Sequence, residues 1–264
     1  MLTPQELIAY GDSGEQWPAL RADFGTLPEA YQSALAVRRL RIARGEIPRG
    51  YKIGFTNRTI WSRYQVFAPI WGSMWNSSVT ECEGFSRISL AHLSQPRIEP
   101  EAVFGFKATP RQNASLADLF EALEWIAPGF EIVQSHLPDW KFVPAQTVAD
   151  GGLHGKLLVG KKLPIADLAG DAEQLHQLLA STCLDLSRNG ELIETGRGSY
   201  VLDSPLRALL HFLNELRSCP GAPDLVAGDI VTTGTWTDAW PVQAGEQWRS
   251  NFDQALPSLT INFE

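Results

Sequence analysis

The apolar residues of this chain change their period near Gly50, and that change limits the folds open to it. Before Gly50 they recur at helical spacing. Thr3, Pro4 and Glu6 combine an N-cap residue, a proline at the first helical position and a capping-box partner. The stretch from Pro28 to Arg44 keeps a helical pattern until Gly45. From Gly50 onward the sequence breaks into short runs rich in Val, Ile, Phe and Trp, separated by Gly, Pro and Asn, which predicts strands with inserted helices. Ser115 is placed to cap a helix running to about Ile126, stopped by Ala127-Pro128-Gly129, and Ser204-Pro205 opens another that ends before Pro220-Gly221. Asn189-Gly190 between two candidate strands predicts a type I′ hairpin. The expected fold is α+β in one compact domain: residues 1–46 form an N-terminal helical segment, and residues 47–264 a mixed β-sheet core with flanking helices.

Composition narrows the function classes. At 264 residues and 44% hydrophobic, the chain can bury a large core, which excludes disorder of the whole. Thirty acidic against 22 basic residues leave a net charge of -8, so no nucleic-acid partner is expected. Arg38, Arg39, Arg41 and Arg44 cluster at a helix end, where cations suit the dipole, and read as a solvated face. No apolar run approaches the roughly 20 residues of a spanning helix. The start MLTPQEL lacks the basic flank and apolar stretch of an export signal, so no membrane is expected and the cytoplasm is the expected location. Cys82, Cys183 and Cys219 are odd in number and far apart, and encode neither a disulfide framework nor a thiolate zinc site.

Several segments carry residues suited to chemistry. In PRIEPEAVFGF, Pro96 to Phe106, strand alternation puts Glu99 and Glu101 on one face. Like charges so placed repel; a hard divalent cation offsets that, and a solvated strand face is the other reading. Glu131, in PGFEIVQS, opens an apolar stretch just after a breaker and adds a third carboxylate at an element end. In RGYKIGF the alternation sets Gly50, Lys52 and Gly54 opposite Tyr51, Ile53 and Phe55, leaving room beside the ammonium for a ligand. On spacing alone, an edge-strand lysine that deters aggregation fits equally. LVAGDIVTTGTWTDAWPV holds a Gly-Asp turn, a β-branched strand and Gly234-Thr235, whose backbone N–H groups suit an anionic ligand or a plain turn. Trp61, Trp71, Trp75, Trp236 and Trp240 are candidates for the wall of a pocket taking a flat conjugated substrate, or for core and interface packing.

The segments GYKIGFT, PRIEPEAVFGF, the Glu131 region through DWKFVPAQTVADGG, SPLRALLHFLNEL and LVAGDIVTTGTWTDAWPVQAGE occur in this order. Together they resemble the 2-keto-4-pentenoate hydratase and 4-oxalocrotonate decarboxylase family of the fumarylacetoacetate hydrolase superfamily, over most of the chain from about Gly50. The resemblance implies a mixed β-sheet roll or sandwich of the superfamily's C-terminal type with the active site in its mouth. It also implies a magnesium or manganese ion held by Glu99, Glu101 and Glu131. Three oxygen donors without a soft ligand independently favour a hard cation. The family's active-site lysine falls on Lys52, whose pKa burial beside a metal is expected to lower. Gly54, Trp71, Gly234 and Thr235 are the expected substrate contacts. The implied substrate is a small unsaturated 2-oxo acid, and the family's habit of symmetric assembly implies a homo-oligomer.

Two departures from the family pattern bear on the reaction. The aspartate of a PDFG-like segment is replaced at Ile70, in Pro69-Ile70-Trp71-Gly72, and cannot move a proton there. After TVAD the chain reads Gly151-Gly152-Leu153-His154, which makes His154 a candidate replacement acid or base, or else a surface histidine. Asp150 is a candidate for orienting a neighbour or a water, or for a turn hydrogen bond. The expected function is a metal-dependent hydratase of 2-hydroxy-2,4-dienoates, giving 4-hydroxy-2-oxo acids through an enolate. The alternatives are a decarboxylase or carbon-carbon hydrolase of the superfamily, and a non-catalytic partner subunit.

Overall fold

The computed structural model describes residues 1–264, apart from the side chain of Arg63. Helix α1 (Pro4–Ser13) begins with the expected capping box between Thr3 and Glu6. Helix α2 (Leu27–Ala43) repeats the device, the Glu29 carboxylate accepting the Thr26 N–H at 2.8 Å. There follow β1 (Pro48–Gly54), α3 (Trp61–Tyr64), β2 (Ile70–Trp75), β3 (Val79–Glu81), β4 (Phe85–Ile88), β5 (Arg97–Phe106), α4 (Leu116–Ala122) and β6 (Leu123–Val133). Next come α5 (Pro144–Ala149), β7 (His154–Val159), β8 (Leu163–Pro164), α6 (Ala172–Ser181), β9 (Cys183–Arg188) and β10 (Glu191–Arg197). The chain ends with α7 (Pro205–Ser218), β11 (Ile230–Thr232), β12 (Trp240–Pro241), β13 (Gln247–Phe252) and β14 (Leu259–Phe263).

The strands form two sheets. The larger runs β2-β1-β11-β5-β6-β7-β3, with β12 beside β5 and β8 beside β6; the smaller runs β10-β9-β13-β14-β4. Alternation along β5 and β6 gives each strand two different faces. One face carries Ile98, Phe130 and Ile132, which pack against Leu186, Trp248, Leu259 and Ile261 of the smaller sheet, as two stacked sheets do. Farther along the same face Ala102, Phe104, Phe106 and Ile126 meet Leu175 and Leu179 of α6 and Leu209, Phe212 and Leu213 of α7. The opposite face, with Glu99, Glu101 and Glu131, is thereby left for the site. α1 and α2 close over β2: Leu7, Trp17, Phe24 and Ala30 cluster with Ile70, Leu137, Ala145 and Val148.

One expected element differs. The helix capped by Ser115 stops at Ala122, and Leu123 to Gly129, read from sequence as helix and breaker, are strand β6 paired with β5. Pro128 is tolerated there because β8 pairs with Trp125 and Ile126 while β7 begins its pairing at Gly129. The missing N–H falls in the gap between them, and the Pro128 carbonyl accepts the Gly160 N–H at 2.8 Å. Glu131 consequently lies inside a central strand and not at an element's start. The Asn189-Gly190 turn has φ of 51° and 85°, the pair of positive values a type I′ hairpin requires. The three cysteines are free, and among the described residues no helix is long and apolar enough to cross a membrane.

Candidate active site

Strand register assembles the site. Glu99 stands opposite Glu131 and Glu101 opposite Gly129 in the β5–β6 pair. Thr232 of β11 stands opposite both Val103 of β5 and Lys52 of β1. Oxygens of Glu99, Glu101 and Glu131 consequently lie within 4.8 Å of one another. Lys52 is 3% exposed, and β1 is flanked by β2 and β11, which removes the edge-strand reading.

Each charged group is held from a different direction. Glu101 Oε2 accepts the Gly234 N–H at 2.7 Å and the Thr232 hydroxyl. Gly234 has φ of 96°, and a Cβ there would stand 2.0 Å from Thr56 Oγ1, so the turn that delivers this N–H needs glycine. Lys52 Nζ lies 3.0 Å from Glu131 Oε2 as an ion pair. Glu131 Oε1 is 2.8 Å from His154 Nδ1, and His154 Nε2 is 2.8 Å from Ser78 Oγ. Burial lowers the His154 pKa although Glu131 opposes it. The neutral ring is thereby favoured, with Nδ1 facing the carboxylate and Nε2 beside the Ser78 hydroxyl.

The electrostatics expose a missing positive charge. Burial, reinforced by Glu131, pushes Glu99 up to about 7 against the pull of Lys52. Burial and the two neighbouring carboxylates push Glu101 well above the usual carboxylate range. Glu131 is also penalised by burial, but Lys52 and His154 outweigh this and hold it low. Burial pulls Lys52 down, yet Glu131, Glu99 and Glu101 together leave its pKa raised. The lowering expected from the sequence refers to the site with its cation, which would offset the carboxylates. Fully ionised, as metal ligands are, the three carboxylates would exceed the one ammonium by two negative charges, which a divalent ion would cancel. Glu101 Oε1 is buried without a hydrogen-bond partner, Glu131 Oε2 faces only the Lys52 ammonium, and an all-oxygen donor set suits a hard cation, so these residues fit magnesium or manganese.

A cavity of about 470 Å³ adjoins this centre. Lys52, Gly54, Glu99, Gly234 and Thr235 line it, as do Ile60, Tyr64, Ile70, Phe142 and Trp240. Trp71 does not. Alternation along β2 turns Ile70 to the cavity and Trp71 away, where its ring stacks on Tyr31 at 4.6 Å and meets the edge of Tyr51. Trp236 is buried in the core beside α6 and α7, and Trp75 lies under the Arg41 guanidinium. Asp150 and His154 also stand off the cavity, behind the Gly151–Leu153 turn. Gly152 and Leu153 line the cavity; Asp150, Gly151 and His154 line a second, smaller hollow. The Asp150 carboxylate accepts the His136 N–H at 3.0 Å and lies 2.6 Å from His136 Nδ1. His154 thus touches a carboxylate of the centre and not the cavity.

Sequence reading missed Arg97 and Trp140, which line the cavity with the guanidinium 4.3 Å over the indole. Arg97 was within reach, since it precedes Glu99 by two residues and shares its face. Trp140, Phe142 and His136 lie in irregular chain between β6 and α5, where no period signals direction.

No protein-family model matches the chain. It is 33% identical over 235 residues to the 2-hydroxyhexa-2,4-dienoate hydratase of Comamonas testosteroni, covering 89% of this chain and 84% of that one. Its structure matches 4-oxalocrotonate decarboxylase from Pseudomonas putida G7, complexed with magnesium and adipate, with a TM-score of 0.86 at 25% identity, over 100% of this chain and 99% of that one. Fumarylpyruvate hydrolase from Pseudomonas aeruginosa, in complex with Mn2+ and pyruvate, shares the fold at a TM-score of 0.62 and 15% identity, over 82% of this chain and 89% of that one. Sequence likeness along most of two chains and a fold matched from end to end agree with the ordered segments around Lys52, Glu99, Glu101 and Glu131: the chain belongs to the 2-keto-4-pentenoate hydratase and 4-oxalocrotonate decarboxylase family of the fumarylacetoacetate hydrolase superfamily.

Proposed function

We propose that the protein is a divalent-metal-dependent hydratase that converts a 2-hydroxy-2,4-dienoate to a 4-hydroxy-2-oxo acid. The observation that carries this reading is the meeting, at one cavity, of Lys52 and of Glu99 from the three-carboxylate centre with an apolar wall of Ile60, Ile70 and Phe142. Glu99, Glu101 and Glu131 would hold magnesium or manganese, which supplies Lewis acidity toward the carboxylate and keto oxygens of a 2-oxo acid.

The remaining chemistry is proton movement. Ketonisation moves the hydrogen of the 2-hydroxyl to C5; water then adds with its hydroxyl at C4 and its hydrogen at C3, so one water is consumed and nothing is released. Lys52 is the group placed to give and take these protons. Arg97 offers a positive charge to the substrate's carboxylate, and Gly54, Gly234 and Thr235 leave room for its backbone of carbons. His154 positions Glu131, and Asp150 positions His136, each by the hydrogen bond described above. Ile70 places hydrocarbon beside Gly54 where the family pattern has aspartate, which suits an alkyl-ended substrate and leaves water addition to Lys52. A homo-oligomer is part of the same reading, supported by the exposed apolar Leu20, Phe67 and Val143.

A decarboxylase is the second reading, favoured by Arg97, whose charge would equally suit a distal carboxylate. The test supplies 2-hydroxypenta-2,4-dienoate and 2-oxo-3-hexenedioate in parallel with magnesium, following dienoate absorbance in one and carbon dioxide in the other. Metal-dependent loss of the dienoate is expected. Carbon dioxide release without hydration would move the protein to the decarboxylase branch, and metal-dependent turnover of neither would overturn both readings.

A further inference from the structure

The smaller hollow behind the Gly151–Leu153 turn has a chemistry of its own. It measures about 80 Å³, several times what one water needs, and lies among α1, α2, β2 and that turn. The exposed Gly11 is among its lining residues, so solvent reaches it. Three side-chain nitrogens of this lining, Trp17 Nε1, Arg38 Nε and Trp71 Nε1, are buried without a hydrogen-bond partner. Trp17, Trp71 and His136 are 2–3% exposed.

The three atoms share a polarity. Indole and guanidinium nitrogens only donate. His136 adds no acceptor: its Nδ1 side is taken by Asp150, and although burial opposes it, the Asp150 charge and hydrogen bond and the Tyr10 carbonyl raise the ring's pKa. The carboxylate, amide and imidazole acceptors of the same lining are spent. Asp150 serves His136, Gln134 Oε1 accepts the Ser94 N–H, and His154 Nε2 is engaged with Ser78 Oγ at 2.8 Å. Arg41 is committed to Glu46 outside the hollow, and Arg38 has no salt-bridge partner among the described residues. Water would need acceptors for its own hydrogens, whereas a small oxyanion brings only acceptors and a negative charge.

We propose that this hollow is a second, non-catalytic binding site for a small oxyanion, a short carboxylate or inorganic phosphate, held by Arg38, Trp17 and Trp71. Its wall toward the active site is only backbone thick. A Cβ on Gly72 would stand 1.9 Å from the Gly151 carbonyl oxygen, and one on Gly152 would stand 2.9 Å from Lys52 Cδ. The site is distinct from the metal centre, and the inference does not rest on the proposed reaction.

The test reads binding and not turnover. Full-length protein in EDTA is titrated, at ionic strength held with chloride, with sodium phosphate in one arm and sodium acetate in the other. Isothermal calorimetry and tryptophan fluorescence follow each titration. Saturable binding in one arm is expected and identifies the anion class. Arg38→Met, which nearly keeps volume, and Trp17→Phe, which keeps an aromatic ring, each lose a donor and should each weaken it about tenfold or more. Glu101→Gln, which disables the metal centre alone, should leave it unchanged. Absence of saturable binding in both arms, binding that survives both substitutions, or binding lost in Glu101→Gln would each overturn the proposal; the last outcome would place the anion in the larger cavity.

Discussion

Replacing Glu99 with glutamine should stabilise the metal-free protein, and by an amount that depends on pH. Glu99 is raised from 4.5 to about 7 in the fold, chiefly by burial. Below pH 4.5 folded and unfolded chains both hold the proton, and the shift contributes nothing. Between 4.5 and 7 the unfolded carboxyl ionises while the folded one stays protonated, so stability falls as pH rises; above 7 the loss is complete. A shift of this size corresponds to about 3 kcal/mol, an upper bound because Glu99 is partly open to the cavity. Glutamine carries no titrating proton and is spared the fall. Urea unfolding in EDTA at pH 5 and pH 8 should therefore show Glu99→Gln gaining about 2 kcal/mol on the wild type between the two conditions. With excess magnesium the order should reverse, because the wild type alone keeps all three ligands. If the variant gains nothing at pH 8 relative to pH 5, the claim of an uncompensated buried charge is wrong.

Lys52→Met should fold with magnesium present and lose about 10²–10⁴-fold in turnover of the dienoate; a rate near that of the wild type would reduce Lys52 to a structural counter-charge. The same variant in EDTA should unfold at lower urea than the wild type, since its three carboxylates then lack any cation. His154→Ala should weaken manganese binding about 10–100-fold in a spectroscopic titration while leaving turnover at saturating metal within a few-fold. The opposite pattern, intact affinity and lost turnover, would make the histidine an acid or base. Gly234→Ala should cost about 1 kcal/mol or more in thermal unfolding, given its positive φ and the Thr56 hydroxyl in the path of a Cβ. An unchanged melting temperature would show that the turn yields easily.

Local chemistry made some of this structure legible in sequence. The Thr3-Pro4-Glu6 cap, the Asn189-Gly190 turn and the shared face of Glu99 and Glu101 depend on neighbours a few residues away, and each forms as its pattern implies. Pro128 misled because its acceptability depends on two other strands, β7 and β8, leaving a gap at one position. Trp71 misled for a similar reason: period 2 says that it opposes Ile70, but not which of the two faces the cavity. The side of the Gly151–Leu153 turn on which His154 lies is set by where Gly72 meets that turn, a contact between segments nearly eighty residues apart that no local period encodes.

The parallel pairing of Lys52 with Thr232 also orders events during folding. It joins segments roughly 180 residues apart, whereas the pairing of Glu99 with Glu131 spans far less chain, and closing the longer loop carries the greater entropic cost. The β5–β6 pair can bring two carboxylates together, with Glu101 beside them, before the ammonium arrives from β1. On that ordering the carboxylates meet before their lysine, and divalent ions present during refolding, well before any catalysis, are expected to speed the step; a refolding rate indifferent to magnesium would refute it.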